Sequence, residues 1–593
     1  MKFWKTTLAV IVGVIIASII CSIFGLMMLG GIASLGSTSS VPPSDGVLRI
    51  DMSAMAVTEQ TKEANPMESL QSGASIAQVG VWDAVQALNI AAEDPGVKFV
   101  YILADGASGG YAELEEFRIA LDKIRSRGKA VIAYIESPSN ASYYLASVAD
   151  KVYMTSCEGG TNQLVGISTQ IVFLKDLLDK LGVNVQLIRH GKYKSAGEMY
   201  IRNDISPENR LQYETLLGTI WNDMTTKIAT SRGITAEQFN GYIDGLKLNS
   251  PQDFLSAGLV DGLYTREELQ SQLATLYMVD KFSKVKFIGS PEYAAAKVTT
   301  NYRAKEKIAI VYADGEIIDG NDKKEVAGDR FASIIAKVRQ DSSVKAVVFR
   351  VSSPGGSVLA SEKIKNEVEL LRECKPVIAS YGAYAASGGY WISNSCDKIF
   401  TDATTLTGSI GVFSMIPELS KTTRDIAHVN VVSVGTNAHS DMYGLMRPFD
   451  KDELDYMQAS VESIYEKFTN IVAEGRGLEV SYVDEIAQGR VWAGADALKI
   501  GLVDEIGTLE DAVQYAAQVA HGVSGSDLSS WQIVSYPKPL TLIDQIYDMV
   551  GMSKDELVLA GTPFVGIEKA FKDFNETKAG QVYARMPYAI TVE

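Results

Sequence analysis

Cysteines, histidines and basic residues are all scarce in this chain of 593 residues. Four cysteines in so long a sequence do not make a disulfide framework, so we expect buried free thiols, although a bridge between Cys374 and Cys396 is geometrically conceivable. There are 55 basic residues against 72 acidic ones, and the resulting net charge of −17 argues against a nucleic-acid partner. None of the four histidines has a catalytic motif around it.

Charge is also absent between Lys5 and Asp45, and most of that stretch is continuously apolar. It is long enough to cross a bilayer as one helix, which predicts a transmembrane anchor at 7–30. Lysines precede it and no basic residue follows it closely, so the positive-inside rule places residues 1–6 in the cytoplasm and the rest of the chain outside. A cleaved signal peptide is the alternative, but the segment is long for one and the small-residue site at 32–34 is weak.

An internal repeat with a period near 245 organises most of the sequence. Three matches recur in the same order: Asp-Lys at 150 and 397, Val-Asn-Val at 183 and 429, and Gly-Leu-Val-Asp at 258 and 501. This period is too long for a solenoid and indicates two copies of a whole domain. We predict an N-terminal repeat at 46–266, a linker region at 267–304, a C-terminal repeat at 305–522 and a C-terminal extension at 523–593. The extension shows no counterpart in the first copy.

Both copies alternate short β-rich runs with helical patterns in the same order. In the second copy the patterns predict strands at 308–312, 346–351, 377–381 and 399–401, and a helix at 360–371. In the first copy they predict strands at 99–104, 130–135 and 152–155, and a helix at 113–125. Alternation of this kind predicts an α/β domain with a largely parallel sheet.

Two glycine-rich stretches of the second copy each follow a strand and open a helix. The backbone N–H groups of Ser-Pro-Gly-Gly-Ser at 353–357 are suited to a developing oxyanion, with an ordinary turn as the alternative. In Ala-Ala-Ser-Gly-Gly-Tyr-Trp at 385–391, Ser387 is either a nucleophile or a helix cap. A Gly-x-Ser-x-Gly match at 106–110 is not a nucleophile elbow, because in register it lies opposite 353–357 and not opposite Ser387.

A nucleophilic serine needs a base, and the candidate is Lys194 in Gly-Lys-Tyr-Lys-Ser-Ala-Gly-Glu at 191–198. Taken alone it is an ordinary surface lysine, but burial lowers a lysine pKa by about 3–5 units and makes a usable base. With the copies in register, Ser387 lies opposite Asn140 and Lys194 lies opposite Ser440. We therefore predict a base in the first copy, a nucleophile in the second, and one complete site where they meet.

These motifs resemble the signal peptide peptidase A family in its long, duplicated bacterial form. The resemblance extends from the apolar segment to about residue 520 and rests on the motifs at 193–196, 353–357, 384–392 and 406–411. It implies that Ser387 is the nucleophile and Lys194 the general base, and that Ser409 orients the lysine amine. It further implies an oxyanion hole from backbone N–H groups near Gly355, Gly356 and Gly388. Position 197 is a glycine in this chain, whereas many relatives have a bulkier residue there.

The resemblance also implies the fold, the assembly and the substrates. The fold is that of Clp proteases and crotonases, here as two tandem copies behind a transmembrane helix. The long members are homotetramers on the periplasmic side of the bacterial inner membrane, where they degrade signal-peptide remnants and other apolar peptides without a cofactor or metal. A non-catalytic membrane-associated peptide-binding scaffold of the same fold is the alternative. A crotonase-like acyl-CoA enzyme lacks support, because no motif indicates a carboxylate acid–base pair or a nucleotide pocket.

Overall fold

The structure is a computed structural model that describes residues 43–62, 76–522, 527–539 and 581–586. The predicted anchor at 7–30 lies outside these residues. Among the helices that are described, none combines the length and the apolar character needed to cross a bilayer.

The first half of the chain contains nine strands and ten helices within the described ranges. The strands are β1 (Gly46–Asp51), β2 (Met55–Thr58), β3 (Ala77–Gly80), β4 (Val97–Leu103), β5 (Val131–Ile135), β6 (Lys151–Thr155), β7 (Asn184–Arg189), β8 (Gly262–Tyr264) and β9 (Phe287–Gly289). The helices are α1 (Val81–Glu93), α2 (Tyr111–Ser126), α3 (Asn140–Ala146), α4 (Lys175–Lys180), α5 (Glu198–Ile201), α6 (Pro207–Arg232), α7 (Ala236–Asp244), α8 (Pro251–Ser256), α9 (Arg266–Leu276) and α10 (Ser290–Lys297).

The second half adds thirteen strands and seven helices in its described part. The strands are β10 (Lys307–Asp314), β11 (Ile317–Ile318), β12 (Val326–Ala327), β13 (Val344–Ser353), β14 (Gly355–Ser357), β15 (Val377–Ala386), β16 (Lys398–Thr401), β17 (Leu406–Gly408), β18 (Phe413–Glu418), β19 (Val491–Ala493), β20 (Glu505–Ile506), β21 (Gln532–Tyr536) and β22 (Tyr583–Arg585). The helices are α11 (Gly328–Gln340), α12 (Val358–Arg372), α13 (Gly388–Trp391), α14 (Lys451–Arg476), α15 (Val480–Ile486), α16 (Gly494–Lys499) and α17 (Leu509–His521).

Two parallel sheets repeat one strand order. The first runs β8-β6-β5-β4-β1-β9. The second contains the matching path β20-β16-β15-β13-β10-β21. In addition, β17 pairs with the far end of the longer β15, and β19 pairs with β17. Strands such as β5 and β13 are buried along nearly their whole length, as parallel strands covered on both faces must be. The predicted α/β fold with two copies of one unit is confirmed.

The duplicated unit includes strands that lie outside the residues predicted for the two repeats. In the first sheet the edge strand β9 follows a short 3₁₀ turn, Phe282–Lys284, inside the region predicted as a linker. In the second sheet β21 occupies the same edge and also follows a 3₁₀ turn, Leu528–Ser530. The expectation that nothing after 522 has a counterpart in the first copy is therefore wrong for this strand. Edge strands this short carry too few identities to reveal the correspondence in the sequence.

A third sheet joins the two copies and runs β12-β11-β14-β22-β18-β7. Its antiparallel pair of β7 and β18 extends from Asn184 opposite Glu418 to Arg189 opposite Phe413. Because β7 belongs to the first copy and β18 to the second, this ladder fixes the residues that follow β7 against the second copy.

A buried ion network also links the copies. Arg350 of β13 is almost completely buried, and its guanidinium contacts Glu59 at 2.7 Å and Glu116 at 2.8 Å, both from the first copy. Removing one partner of such a network leaves an uncompensated buried charge, which is strongly destabilising. Apolar packing surrounds the network, since one core cluster contains residues of both copies, including Leu88 and Val513.

The cysteines that are described are free thiols. Cys396 is buried, and burial raises its pKa to about 12. Cys374 and Cys157 are exposed, so the expectation of buried thiols holds for Cys396 and fails for Cys374, which lies just beyond the end of α12. No bridge joins Cys374 to Cys396.

Candidate active site

Ser387 lies at the junction of a buried strand and a short helix. It follows β15 directly and occupies the N-cap position of α13, but its side chain makes no cap hydrogen bond. Its backbone has φ 55° and ψ −113°, a conformation that costs a non-glycine residue about 1–3 kcal/mol. The Ser387 N–H donates to the Gly408 carbonyl at 2.8 Å, which ties this strained residue to β17. The hydroxyl therefore remains available for a partner other than its own helix.

That partner comes from the first copy. Lys194 lies in the loop after β7, and its amine contacts the Ser387 hydroxyl at 2.8 Å. The same amine lies 3.1 Å from the Ser409 hydroxyl and 3.4 Å from the Ser409 carbonyl oxygen. All three side chains are completely buried. The structure thus brings together the predicted nucleophile, base and orienting residue, while their catalytic roles remain predictions.

Backbone and side-chain contacts hold the lysine loop in place. The Arg189 guanidinium, at the end of β7, donates to the Lys194 carbonyl at 2.6 Å and pairs with the buried Glu198 at 3.3 Å. On the other side the Tyr193 N–H donates to the Gln488 carbonyl at 2.9 Å, so the loop is docked on the second copy. Lys194 is therefore positioned by both copies.

Two glycines of the second copy make room for the lysine side chain. A Cβ at Gly489 would lie only 2.5 Å from the Lys194 Cβ, and Gly489 also has φ 76°. A Cβ at Gly411 would lie 3.3 Å from the Lys194 Cδ. Close approach of the glycine backbone removes water from the aliphatic stem, which is the local origin of the lysine's burial.

Burial has a clear electrostatic consequence. It lowers the pKa of Lys194 well below its ordinary value, because the charged ammonium loses its hydration and gains no counter-ion. The amine contacts described above are two hydroxyls and one carbonyl, all of them uncharged. This environment favours the neutral amine.

The hydrogen-bond geometry suits a neutral amine as well. A neutral lysine has two N–H donors and one lone pair, and the Ser409 hydroxyl and carbonyl oxygens accept the two donors. The Ser409 hydroxyl in turn donates to the Gly489 carbonyl at 3.5 Å. The lone pair is then left for the proton of the Ser387 hydroxyl, and this is the arrangement that general-base catalysis needs.

The glycines of the predicted oxyanion hole converge beside Ser387. A Cβ at Gly355 would lie 2.5 Å from the Gly388 nitrogen, so the backbone of 355 almost touches the start of α13. Gly388 is the first helical residue, and an N–H there has no partner within the helix. Gly355 and Gly356 have φ 96° and 156°, which turns the loop after β13 in a way that side chains resist.

Three of the four histidines have partners outside this site. Their ring nitrogens contact carboxylates: His190 with Glu462, His439 with Glu453 and His521 with Glu306. His439, Asp450 and Glu453 form the one group among the described residues whose ligand atoms lie close enough to hold a metal ion. Arg447 already contacts Glu453 at 2.7 Å, so this group is neutralised without a metal.

The described residues of the first copy contain no equivalent arrangement of serine and lysine. The predicted decoy serine, Ser108, is exposed in the loop between β4 and α2, the place that 354–357 occupies in the second copy. Asn140 is buried, and its amide bonds to the Gly166 backbone. Ser440, the predicted counterpart of Lys194, is exposed and contacts only Asn437 in the contacts described for it.

Sequence reasoning missed three features around the site. In the sequence Gly489 resembles an ordinary turn glycine, and only the structure shows how closely it approaches Lys194. The pairing of β7 with β18 joins segments far apart in the chain, and nothing in either segment indicates it. The strand β22 lies between β14 and β18 although no motif had drawn attention to it.

Comparison with known proteins agrees with this architecture. Peptidase family S49 matches residues 123–280 and 369–524, one match in each copy. Protease 4 of Haemophilus influenzae is 35% identical over 84% of this chain and 82% of its own length. Protease 4 of Salmonella typhi is 34% identical over 79% and 75% of the two chains. A chloroplastic serine protease, SPPA of Arabidopsis thaliana, is 30% identical over 78% and 68%.

These matches confirm the family expected from the motifs. They cover both copies and most of the length of each relative, and they support a serine peptidase. The chain belongs to peptidase family S49 and is a serine peptidase in which the domain of that family occurs twice.

Proposed function

We propose that Ser387 and Lys194 form a catalytic dyad shared between the two copies. The observation that carries the proposal is the distance of 2.8 Å between the Lys194 amine and the Ser387 hydroxyl, with the amine fully buried and away from any acid. A neutral amine in this position removes the serine proton as the hydroxyl attacks a peptide carbonyl. Ser409 holds the amine in the direction that this transfer requires.

The remaining steps follow from the same groups. The tetrahedral intermediate places its oxyanion among the backbone N–H groups of Gly355, Gly356 and Gly388. Lys194, now protonated, gives its proton to the leaving amine, and the C–N bond breaks to leave an acyl ester on Ser387. A water molecule, deprotonated by the same lysine, then hydrolyses the ester and restores the free serine.

Labelling tests this proposal directly. A fluorophosphonate probe should react with the full-length chain, and mass spectrometry should locate the label on Ser387. Label on another serine, such as Ser108, would contradict the assignment. A chain that binds peptides but neither labels nor hydrolyses would be the non-catalytic scaffold.

We further propose that the substrates are apolar peptides, including cleaved signal peptides. A cavity beside the site has a mostly apolar lining, with Val358 and Leu359 on α12, Trp391 on α13 and Ile464 on α14, together with the charged Asp319, Glu362 and Lys467. Such a lining favours apolar side chains. Apolar fluorogenic peptides should be cut faster than acidic ones of equal length, and Leu359→Glu should narrow that difference. If Leu359→Glu leaves the ratio of the two hydrolysis rates unchanged, this cavity does not select the substrate.

The anchor, the location and the assembly are also proposals. Residues 7–30 are proposed to span the bacterial inner membrane, with the peptidase on the periplasmic side, and four chains to form a homotetramer. The apolar N-terminal stretch and the family's long duplicated form support this arrangement. Membrane fractionation tests the anchor, and protease accessibility of intact spheroplasts tests the location. Light scattering of the detergent-solubilised chain tests the assembly.

The repeated unit is proposed to have the fold of Clp proteases and crotonases. In support, each copy has a parallel sheet in which the loop after β4 or β13 leads towards a helix, α2 or α12. In the second copy this loop supplies Gly355 and Gly356. An experimental structure of the chain, superposed on a Clp protease subunit, would test the likeness.

A further inference from the structure

Tyr465, on α14 of the second copy, contacts the two segments between which Lys194 is held. Its side chain is buried. Its ring packs on the first copy at the start of the loop that carries the lysine. Its hydroxyl bonds to residues 488–490 of the second copy, called the lysine cover here because Gly489 lies against Lys194. Tyr465 therefore acts on the environment of the lysine without contacting the amine.

The ring fixes the start of the lysine loop. It stacks on the imidazole of His190, with ring centroids 3.7 Å apart and an interplanar angle of 20°. His190 is the residue directly after β7. Its N–H donates to the Val412 carbonyl at 3.2 Å, and its Nδ1 contacts Glu462, which lies on the same helix as Tyr465. The chain that leads to Lys194 is thus docked on α14.

The hydroxyl fixes the upstream end of the lysine cover. It donates to Asp484 at 2.6 Å and accepts from the Gln488 N–H at 3.3 Å and from the Gln488 side-chain amide at 3.2 Å. The same amide donates to Asp484 at 2.8 Å. A tyrosine hydroxyl offers one donor and acceptor lone pairs, and here both functions are used.

The lysine cover needs such an anchor because of its backbone conformation. Gln488 has φ 54° and Gly489 has φ 76°. A glutamine adopts this left-handed region rarely, so hydrogen bonds from outside the turn must hold it there. Downstream, the cover continues into β19, which pairs with β17. Tyr465 supplies the corresponding anchor at the upstream end.

In this conformation the cover closes over Lys194. The Gln488 carbonyl accepts from the Tyr193 N–H at 2.9 Å. A Cβ at Gly489 would lie 2.5 Å from the Lys194 Cβ, so the glycine backbone excludes water from that side. If the upstream end of the cover were released, water would reach the lysine stem between the two copies.

Charged groups near the lysine are bound elsewhere. Arg189 donates to the Lys194 carbonyl and pairs with Glu198, while Lys192 and Arg490 lie over the ring of Tyr193. The contacts described for the amine itself are uncharged. Burial is what lowers the pKa of Lys194, so hydration of the loop would raise that pKa towards its ordinary value.

The tyrosine hydroxyl itself stays protonated where the lysine titrates. Burial and the hydrogen bond to Asp484 both raise the pKa of Tyr465 above its ordinary value. A change in the pH profile on removal of this hydroxyl therefore reports on the lysine and not on the tyrosine.

Trp221 occupies the equivalent position in the first copy. Both α6 and α14 have 26 residues, and Trp221 follows the start of α6 at the same distance as Tyr465 follows the start of α14. The Trp221 indole donates to Asn240 at 2.8 Å, and this pair has the same separation of 19 residues as Tyr465 and Asp484. An indole N–H cannot accept a hydrogen bond, so it has no site for a backbone N–H such as that of Gln488. The acceptor is present only in the copy that covers a lysine.

We propose that Tyr465 is a positioning residue that keeps the lysine cover closed and thereby sets the pH range in which Lys194 acts as a base. This inference rests on the proposed Ser387–Lys194 dyad and adds a residue that touches neither the substrate nor the reacting atoms. Loss of the hydroxyl releases the upstream end of the cover, water reaches the lysine, and the protonated amine becomes more stable.

The test compares Tyr465→Phe with the wild type as full-length chains. This variant keeps the ring on His190 and loses the hydrogen bonds of the hydroxyl. Its kcat/KM for a fluorogenic peptide should be about tenfold lower on the rising limb of the pH profile and nearly unchanged on the plateau, because the midpoint moves to higher pH. The rate of fluorophosphonate labelling at Ser387 should shift in the same direction, since attack by the serine needs the same neutral amine.

A matched control is Tyr143→Phe in the first copy. Tyr143 is also fully buried, and its hydroxyl donates to the Leu259 carbonyl at 2.7 Å. This variant should lose stability in thermal unfolding, as Tyr465→Phe should, but keep the wild-type midpoint of the pH profile.

A second pair of variants changes an exposed side chain, so folding is not at risk. Asp484→Ala removes the acceptor of the Tyr465 hydroxyl and should move the midpoint in the same direction as Tyr465→Phe, by a smaller amount. Asp484→Asn keeps an acceptor oxygen and should retain the wild-type profile. An equal shift in both variants would mean that the charge of Asp484 acts on the lysine, and it would overturn the role given to the hydroxyl.

Two further results would contradict the proposal while leaving the dyad in place. One is a wild-type midpoint in Tyr465→Phe, and the other is a lower plateau with an unchanged midpoint, which would give Tyr465 a purely structural role. A wild-type chain that neither hydrolyses peptides nor labels at Ser387 would instead remove the dyad on which the proposal rests.

Discussion

Asn140 and Ser387 lie at equivalent points of the two copies, just after the equivalent strands β5 and β15. In the first copy the Asn140 amide donates to the Gly166 carbonyl at 2.9 Å and accepts from the Gly166 N–H at 3.2 Å, and Ser139 caps the helix. In the second copy the Ser387 hydroxyl satisfies no backbone group and its φ is positive. One copy uses this position for its own stability, whereas the other tolerates strain and leaves the hydroxyl in contact with Lys194 of the first copy.

The lysine shows the converse arrangement. In the first copy the loop after β7 is buried against the second copy and holds Lys194 without a counter-ion. In the second copy the matching position, Ser440, lies in an exposed turn. Duplication thus allows each copy to carry one member of the proposed dyad in an unfavourable environment, while the other copy has an ordinary polar residue at the equivalent position.

The largest effect should come from removing the nucleophile. Ser387→Ala should lower kcat by about a millionfold, as expected when the nucleophile of a serine peptidase is lost, and leave circular dichroism unchanged. The matched change, Asn140→Ala, should retain peptide hydrolysis but reduce the free energy of unfolding by about 1–3 kcal/mol, because the Gly166 backbone loses its partners. If Ser387→Ala and Asn140→Ala lose activity equally, the second copy alone does not supply the nucleophile.

Removal of the base should follow closely. Lys194→Ala should lower kcat/KM by about 10²–10⁴, the usual contribution of a general base. Lys194→Arg should be similarly impaired at every pH, because a guanidinium stays protonated. Lys192→Arg, at an exposed lysine two residues earlier, should behave as the wild type.

The pH profile sharpens this result. Only the neutral amine accepts a proton, so wild-type kcat/KM should be low where Lys194 is protonated. It should rise with pH through the lowered pKa of Lys194 and level off well below about 10.4, the pKa of an exposed lysine. A profile that rises only near 10 would mean that the lysine is not desolvated in the working enzyme.

Crowding the lysine should have an intermediate effect. Gly489→Ala would place a Cβ 2.5 Å from the Lys194 Cβ, and a displacement of the amine by about 1 Å lowers kcat by about a hundredfold. Gly477→Ala is a matched control, since Gly477 also has a positive φ, 64°, with open space around it. Both variants should lose stability in thermal unfolding because of the positive φ, Gly489→Ala more so because of the overlap, and only Gly489→Ala should lose activity.

The smallest expected effect is that of the orienting residue. Ser409→Ala removes one acceptor of the lysine amine and should lower kcat/KM by roughly 10–100-fold, with KM nearly unchanged. Ser147→Ala in the first copy removes another buried, hydrogen-bonded hydroxyl and should leave kcat/KM as it is. If Ser409→Ala behaves like Ser147→Ala, the lysine is oriented by its burial alone.

Much of each copy follows from local sequence patterns. Continuous apolar runs predict the central strands, and the observed β13 and β15 contain the predicted 346–351 and 377–381. The repeat predicts that the base and the nucleophile lie in different copies, because three short matches fix the register. These signals are local or depend on identity between the copies, and both kinds can be read from one sequence.

Other features depend on contacts that leave no local trace. Arg350 interrupts the apolar run of β13, which signals a buried charge, but its partners Glu59 and Glu116 are far away in the sequence. The strand β22 pairs with β14 through backbone groups, which any extended segment possesses. The correspondence of β9 and β21 rests on topology and not on identity. The sequence therefore does not reveal contacts that backbone groups make across long sequence separations.

The ladder between β7 and β18 makes the proposed dyad dependent on synthesis of the second copy. Lys194 emerges from the ribosome 193 residues before Ser387, and its glycine cover at 489 emerges later still. Until that segment is made, the lysine is hydrated and protonated, and no serine lies beside it. A nascent chain that ends before residue 489 therefore does not yet hold the lysine in the environment that the proposed activity requires.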